Sequence, residues 1–150
     1  MIAIAGHRNL LRYPNAQATI RQALGDLVTR YPGALWLAGG DVGTEHLAVD
    51  ALLELRQRVR LILPFPPAVL TRFWSAVDYY TLVRQVQRVE AIEVVRQTYH
   101  GDAYRQREWW TLDRADLLVA FMDPAIPFGD TVSTVRQALR RHKPVYWVGL

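Results

Sequence analysis

Two glycine-containing turns are the segments of this chain whose residue types best fit ligand chemistry. The first covers residues 38–45 (AGGDVGTE) and the second covers residues 128–134 (FGDTVST), each between an apolar run and a helical pattern. A strand that ends in such a turn directs backbone N–H groups, and the positive end of the next helix dipole, at one spot. The two turns together predict a nucleotide-shaped ligand with its phosphate between them.

Four residues of the first turn are predicted to contact this ligand: Gly39, Gly40, Thr44 and Glu45. Glu45 is a candidate acid or base, or a hydrogen-bond partner for ribose hydroxyls, and Asp41 is a second candidate catalytic carboxylate. A glutamate at a helix N-terminus is also ordinary dipole complementation, so both interpretations stay open. Asp41, Glu45 and His46 are not spaced along one helix face, so we expect no metal site.

The second turn supplies five further candidate ligand-binding residues: Gly129, Asp130, Thr131, Ser133 and Thr134. Hydroxyl groups beside the free N–H groups of a helix N-terminus form a phosphate cradle. The alternative is plain capping of the helix by Asp130. Because the carboxylate of Asp130 repels phosphate, we expect it to turn away, either to cap the helix or to meet Arg8.

A third candidate segment, Gly6–Arg8, follows the first apolar run of the chain. Gly6 allows the backbone to turn close to a ligand. Arg8 is a potential bidentate phosphate donor, and His7 is a candidate to stack on a base or donate a hydrogen bond. The alternative is that His7 and Arg8 simply cover the edge of a sheet.

The apolar runs lack polar alternation, which is typical of strands buried on both faces of a parallel sheet. They lie at residues 2–5, 34–38, 59–63, 117–121 and 145–148, and helical patterns separate them. Residues 68–87 are predicted to be helical with an interruption near Asp78, and residues 89–95 to be a strand or a helix continuation. This order predicts a single α/β domain over residues 1–150. Its fold is expected to be three-layer, Rossmann-like and doubly wound, with a mostly parallel sheet of five or six strands and the ligand at their carboxyl ends.

Residues 104–114 form a further predicted helix that carries both charged and aromatic side chains. We interpret it as an amphipathic helix with Trp109 or Trp110 in the core. The alternative, a charged face of Arg105, Arg107 and Glu108 in the crevice, is the less favoured one. Five Trp, seven Tyr and four Phe are many aromatic residues for one small core, so we expect a homodimer or a larger homo-oligomer.

Composition restricts the function classes. The net charge of +4 is spread along the chain, and its one tight basic cluster, residues 140–143, falls at a predicted helix C-terminus, so nucleic-acid binding is not expected. No apolar run approaches the roughly 20 residues of a membrane span. The absence of cysteine excludes disulfides and thiolate metal sites and fits a cytoplasmic protein. Walker A and Gly-x-Gly-x-x-Gly patterns are absent, and we expect no cofactor other than a nucleotide derivative held as ligand.

The chain resembles the SLOG superfamily in four stretches: residues 4–8, residues 39–45 together with 61–66, residues 107–120 and residues 129–145. That superfamily holds the LOG-type cytokinin-activating phosphoribohydrolases, the DprA Rossmann domain and the YpsA-like proteins, and the YpsA-like branch is the most similar. The resemblance implies a Rossmann-like fold that binds nucleotides or their derivatives, often as a homo-oligomer. LOG enzymes carry a glutamate three residues after the threonine of the late glycine motif, where this chain has Thr134.

Three functions follow in order of preference. The first is binding of a nucleotide or nucleotide-derived small molecule, with a sensor as one form of this role. The second is N-glycosidic hydrolysis or transfer on a nucleoside monophosphate, with Glu45 or Asp41 as the reactive carboxylate. The third is DprA-like binding of single-stranded DNA, which the even charge distribution disfavours. Whether the chain is an enzyme stays open.

Overall fold

Six parallel strands form one sheet in the computed structural model, which describes all residues from 1 to 150. The strands are β1 Ile2–Gly6, β2 Leu35–Ala38, β3 Arg58–Leu63, β4 Ala91–Val94, β5 Leu117–Met122 and β6 Val145–Gly149. Their order across the sheet is β4-β3-β2-β1-β5-β6, and every neighbouring pair is parallel. The predicted Rossmann-like α/β fold is confirmed, and the sheet is wholly parallel.

Helices cover both faces of this sheet and bury its central strands β1, β2 and β5, whereas the edge strands β4 and β6 are only partly buried. They are α1 Ala16–Arg30, α2 Thr44–Glu54, α3 Pro67–Leu70, α4 Ala76–Val86, α5 Ala103–Arg114 and α6 Asp130–Arg140. One apolar core joins α1, α2, α3 and α4 to the sheet, and a second joins α5 and α6 to the opposite face. None of these helices combines the length and the apolar character that crossing a bilayer requires.

The structure decides between the alternatives predicted for residues 68–95. The helical segment is interrupted between Leu70 and Ala76. Helix α4 begins after Ser75, whose hydroxyl oxygen accepts the Asp78 N–H at 3.1 Å and so caps the helix. Residues 91–94 form a strand that pairs with β3, so the strand alternative for residues 89–95 is correct.

The topology brings the predicted ligand-binding turns to one edge of the sheet. β1 lies between β2 and β5, and Gly6 at the end of β1 is paired with Phe121 of β5. Strands β2, β3 and β4 therefore follow β1 on one side of it, and β5 and β6 lie on its other side. In open α/β sheets, ligands bind in the crevice that such a switch point leaves beyond the carboxyl ends of the strands.

The loop after β1 packs tightly against the start of α2. The carbonyl oxygen of His7 accepts both the Thr44 hydroxyl at 2.8 Å and the Thr44 N–H at 3.1 Å. A Cβ on Gly6 would lie 2.3 Å from Thr44 Cγ2, and a Cβ on Gly43 would lie 2.2 Å from the Arg8 carbonyl oxygen. Gly6 therefore has a packing role in addition to the expected role in ligand approach. The loop after β1 and the start of α2 can meet only if no side chain lies between them.

Replacing Gly6 with alanine is expected to lower the free energy of unfolding by about 1–3 kcal/mol, because the added methyl overpacks against Thr44. Gly25→Ala is the matched control: Gly25 lies inside α1, and its added Cβ would meet nothing within 4 Å. This control is expected to gain about 0.5–1 kcal/mol from helix propensity. Urea unfolding of both variants measures the difference, and equal stabilities would contradict the packing account.

Candidate functional site

A crevice of about 560 Å³ opens at the carboxyl edge of the sheet, between the loops that follow β1, β2 and β5 and the helix α5. It brings together most of the residues that the sequence predicts for the site. Those that line it are Gly6, His7, Arg8, Asp41, Glu45, Asp130, Thr131, Ser133 and Thr134. No group of three or more His, Cys, Asp or Glu side chains is placed to hold a metal ion.

Four other predicted residues do not line this crevice: Gly39, Gly40, Thr44 and Gly129. Gly39 faces a small recess of about 40 Å³ behind it. Thr44 is fully buried, and a Cβ on Gly40 would lie 2.5 Å from Leu63 Cδ2. The glycines of the first turn therefore permit close internal packing.

Two backbone N–H groups of the first turn, those of Gly39 and Asp41, are already bonded within the protein. Glu45 Oε2 accepts the Gly39 N–H at 2.6 Å and the Asp41 N–H at 3.3 Å. The carboxylate of Glu45 thus occupies the position that an external anion would take at this turn. These two N–H groups are therefore not free for a phosphate shared between the two glycine turns, whereas the N–H groups at the start of α6 have no side-chain cap.

Arg107 reaches from α5 into the wall of the crevice and holds the first turn in place. Its Nη2 lies 2.9 Å from Asp41 Oδ2, and its Nη1 donates to the Gly39 carbonyl oxygen at 3.2 Å. A Cβ on Gly39 would lie 2.6 Å from Arg107 Nη1, so only glycine leaves room for the guanidinium. Burial alone would lower the pKa of Arg107, but the charges of Asp41 and Glu45 outweigh it and raise that pKa.

The two carboxylates of the first turn have different protonation equilibria. Burial opposes ionisation of Asp41, yet the guanidinium groups of Arg107 and Arg8 hold its pKa below the ordinary value. Burial, together with the neighbouring charge of Asp41, raises the pKa of Glu45 to about 7. Glu45 is therefore the group of the site whose charge changes near neutral pH.

Arg8 extends across the mouth of the crevice. Its Nη2 lies 3.2 Å from Asp41 Oδ2 and 3.7 Å from Asp130 Oδ2, while its side chain stays 46% exposed. Its guanidinium carbon is 5.9 Å from the centre of the Tyr104 ring. Arg8 is thus held between two loops with donors still open to solvent, which fits the predicted role in binding an anion.

His7 has a positioning role within the β1 loop. Its Nε2 accepts the Asp123 N–H at 2.9 Å, which ties the loop after β1 to the loop after β5. The imidazole stacks on the Tyr13 ring with a centroid distance of 6.1 Å. One ring nitrogen is therefore committed to the protein backbone.

The N-terminus of α6 is the open anion-binding element of the crevice. No side chain caps this helix, so plain capping by Asp130 is wrong, and that carboxylate is exposed and lies near Arg8. Gly129 adopts φ 110°, a conformation that favours glycine, and a Cβ there would meet nothing within 4 Å. The N–H groups at the start of any helix have no acceptor within that helix. Thr131, Ser133 and Thr134 line the crevice here, and the Thr134 hydroxyl donates to the Asp130 carbonyl oxygen at 3.0 Å.

Helix α5 contributes residues to the site, so the less favoured alternative, a charged face of Arg105, Arg107 and Glu108 in the crevice, is correct. Tyr104, Arg105, Arg107 and Glu108 all line the crevice. Positions 104, 107, 108 and 111 follow the i, i+3, i+4, i+7 spacing of one helix face, and this polar stripe is the signal that could have identified them. Glu108 carries a buried Oε1 without a hydrogen-bond partner, and burial raises its pKa.

The prediction that Trp109 or Trp110 fills the core is wrong. Trp109 is 41% exposed and Trp110 is 36% exposed, whereas Leu112 is the large apolar residue of α5 that is buried. Guanidinium groups cover the tryptophan rings instead: Arg105 and Arg141 lie 5.8 and 5.9 Å from the Trp109 ring, and Arg114 lies 4.7 Å from the Trp110 ring. Cation–π contacts thus keep these rings at the surface.

Solved structures of similar fold include two DNA processing proteins A (DprA). The protein from Helicobacter pylori has a TM-score of 0.70 and 16% identity, over 97% of this chain and 63% of that chain. The protein from Streptococcus pneumoniae has a TM-score of 0.70 and 10% identity, over 97% of this chain and 49% of that chain. This chain thus spans less than two thirds of either DprA.

The molybdenum cofactor binding protein from Rippkaea orientalis is also similar, with a TM-score of 0.65 and 21% identity, over 99% of this chain and 76% of that chain. No family model and no curated protein matches the sequence. The Rossmann-like fold implied by the sequence resemblance is therefore confirmed, and membership of the SLOG superfamily stays a prediction. Similarity to the YpsA-like branch stays a prediction.

The raised pKa of Glu45 predicts how stability depends on pH. The folded chain holds the Glu45 proton up to about pH 7, whereas the ordinary pKa is 4.5. The contribution of Glu45 to the free energy of unfolding therefore decreases as pH rises from about 4.5 to 7. Glu45→Gln imitates the protonated form and is expected to remove this decrease, which amounts to about 3 kcal/mol at most.

Urea unfolding across this pH range measures the effect. Glu54→Gln is the control, because Glu54 lies on the same helix with a half-exposed carboxylate that pairs with Arg21. The difference between wild type and Glu45→Gln should grow with pH, while the difference for Glu54→Gln should stay flat. A flat difference for both variants would contradict the account.

Proposed function

We propose that this chain binds a nucleotide or a nucleotide-derived small molecule in the crevice, with the phosphate on the first turn of α6. The observation that carries the proposal is the uncapped N-terminus of α6, which faces a crevice of about 560 Å³ beside the half-exposed guanidinium of Arg8. Helix N-termini and arginine are the donors that bind phosphate in proteins. A protein of similar fold is described as binding the molybdenum cofactor, which is consistent with small-molecule binding.

The charge balance of the crevice favours a ligand with few negative charges. Three arginines and four carboxylates line it: Arg8, Arg105, Arg107, Asp41, Glu45, Glu108 and Asp130. Arg107 is committed to Asp41, and Asp130 lies beside the N-terminus of α6. A monophosphate therefore suits the site better than a polyphosphate. Glu45 and Glu108 are acceptors for hydroxyl or amino groups of the same ligand.

A second candidate function is hydrolysis of the N-glycosidic bond of a nucleoside monophosphate, and the pKa of Glu45 near 7 favours it. A carboxylate with this pKa is suited to take a proton from the attacking water, whose oxygen forms the new bond to the anomeric carbon as the bond to the base nitrogen breaks. The same proton then returns from the carboxyl group, through solvent, to the departing base. Under this candidate, incubation of AMP with the protein releases free adenine, and Glu45→Gln abolishes that release. Chromatography of the products measures the adenine released. If the wild type releases none, this reaction is excluded for AMP.

Binding of single-stranded DNA is the third candidate, because the Helicobacter pylori DprA is described through its single-stranded DNA binding mode. Most arginines near the crevice are paired with carboxylates: Arg105 with Asp102, Arg141 with Asp113 and Arg114 with Glu93. A surface neutralised in this way offers few cations for a run of phosphates.

Thermal unfolding with AMP tests the leading proposal, because a ligand at 100 times its dissociation constant adds about 2.7 kcal/mol of stability. Wild-type protein is expected to show this stabilisation. Ser133→Glu is expected to lose most of it, since Ser133 is exposed on the cradle and a carboxylate there repels phosphate. An acidic residue near a helix N-terminus complements the dipole, so the unliganded fold should be retained.

Gln22→Glu is the control variant, with the same added charge on the exposed face of α1. It should respond to AMP as the wild type does. Stabilisation by AMP that survives in Ser133→Glu would place the phosphate elsewhere. An oligothymidylate that stabilises the protein at low salt, where AMP does not, would favour the DNA candidate.

A further inference from the structure

Strand β6 is the outermost strand on its side of the sheet and pairs only with β5. Two hydrogen bonds show which of its backbone groups face β5. Leu118 N–H donates to the Pro144 carbonyl oxygen at 3.0 Å, and Leu150 N–H donates to the Met122 carbonyl oxygen at 3.2 Å. Backbone bonding alternates along a strand, so the even-numbered residues face β5. Val145, Trp147 and Gly149 therefore direct their N–H and C=O groups outward.

The two edges of the sheet differ in their protection against pairing with another chain. Strand β4 at the opposite edge contains Glu93, which pairs with Arg114 at 2.6 Å, and Glu90 just before the strand pairs with Arg58 at 2.7 Å. Charged residues of this kind block edge-to-edge association. Strand β6 (VYWVG) has no charged residue, and Trp147 is 54% exposed.

We propose that two copies of this chain pair through the outer edges of their β6 strands, antiparallel and about a two-fold axis at Trp147. This register places Trp147 opposite its own copy and Val145 opposite Gly149. All the outward N–H and C=O groups then have partners, because residues that face each other in this class of antiparallel pair exchange both hydrogen bonds. The two sheets become one continuous sheet.

Self-complementarity is the reason for choosing a second copy as the partner. A two-fold axis requires that one patch match itself, and an uncharged strand with outward groups at 145, 147 and 149 meets this requirement. The basic segment 140–143 precedes β6. In an antiparallel pair of β6 strands, the two copies of this segment therefore lie at opposite ends of the interface. The two Trp147 side chains lie as neighbours on one face, which is a favourable cross-strand pair.

This surface lies away from the crevice, so the inference does not depend on the proposed nucleotide binding. Size-exclusion chromatography with light scattering measures it directly. The wild type is expected at twice the chain mass of 17.2 kDa at micromolar concentration. Trp147→Lys is expected to raise the dissociation constant of the dimer at least about tenfold, through a charge at the centre of the joint. Trp110→Lys, at another exposed tryptophan, should leave the dimer intact. A monomeric wild type, or a dimer unchanged by Trp147→Lys, overturns the proposal.

The chain contains no cysteine, which allows a second measurement that does not require Trp147→Lys to fold. In the proposed register the Cα atoms of the facing 147 residues are about 5.5 Å apart, a separation that a disulfide can bridge. Trp147→Cys is therefore expected to form a covalent dimer on mild oxidation, and Trp110→Cys to stay monomeric on non-reducing gels. Equal crosslinking of the two variants overturns the proposed register.

Discussion

The arrangement of the crevice depends on the buried guanidinium of Arg107. It joins α5 to the turn after β2 through Asp41, at 2.9 Å, and the Gly39 carbonyl oxygen. Asp41 also contacts Arg8 at 3.2 Å, and Arg8 approaches Asp130 at the start of α6. One series of alternating charges thus connects four chain segments. Removing the Asp41 carboxylate would leave the buried Arg107 guanidinium without its ion-pair partner, which costs about 3–5 kcal/mol.

The two glycine turns that look alike in sequence do different things in this fold. The first turn binds a carboxyl group that the chain itself supplies, because Glu45 is the second residue of α2 and its side chain folds back onto the N–H groups of Gly39 and Asp41. The second turn has no such internal partner, since Asp130 points toward Arg8. The Glu45 carboxyl group fills one turn and donors are open at the other, so we expect the phosphate end of a ligand at α6.

The apolar strands and their succession along the chain could be predicted because continuous apolar runs in a parallel sheet are distinctive. The predicted run 117–121 and the observed β5, Leu117–Met122, differ by one residue. The residues of α5 could not be identified as readily, because Arg107 on a helix surface has the same sequence signature as a solvated charge. An amphipathic pattern predicts Trp109 or Trp110 in the core, whereas the guanidinium groups beside the Trp109 ring are visible only in three dimensions.

The central claim, that a ligand phosphate binds at α6 and not at the first glycine turn, is tested most directly by backbone amide NMR during titration with AMP. The account predicts large shifts for the amides of residues 130–132. It predicts small shifts for Gly39 and Asp41, whose N–H groups are held by Glu45. Large shifts at Gly39 and Asp41, with residues 130–132 unmoved, would contradict it.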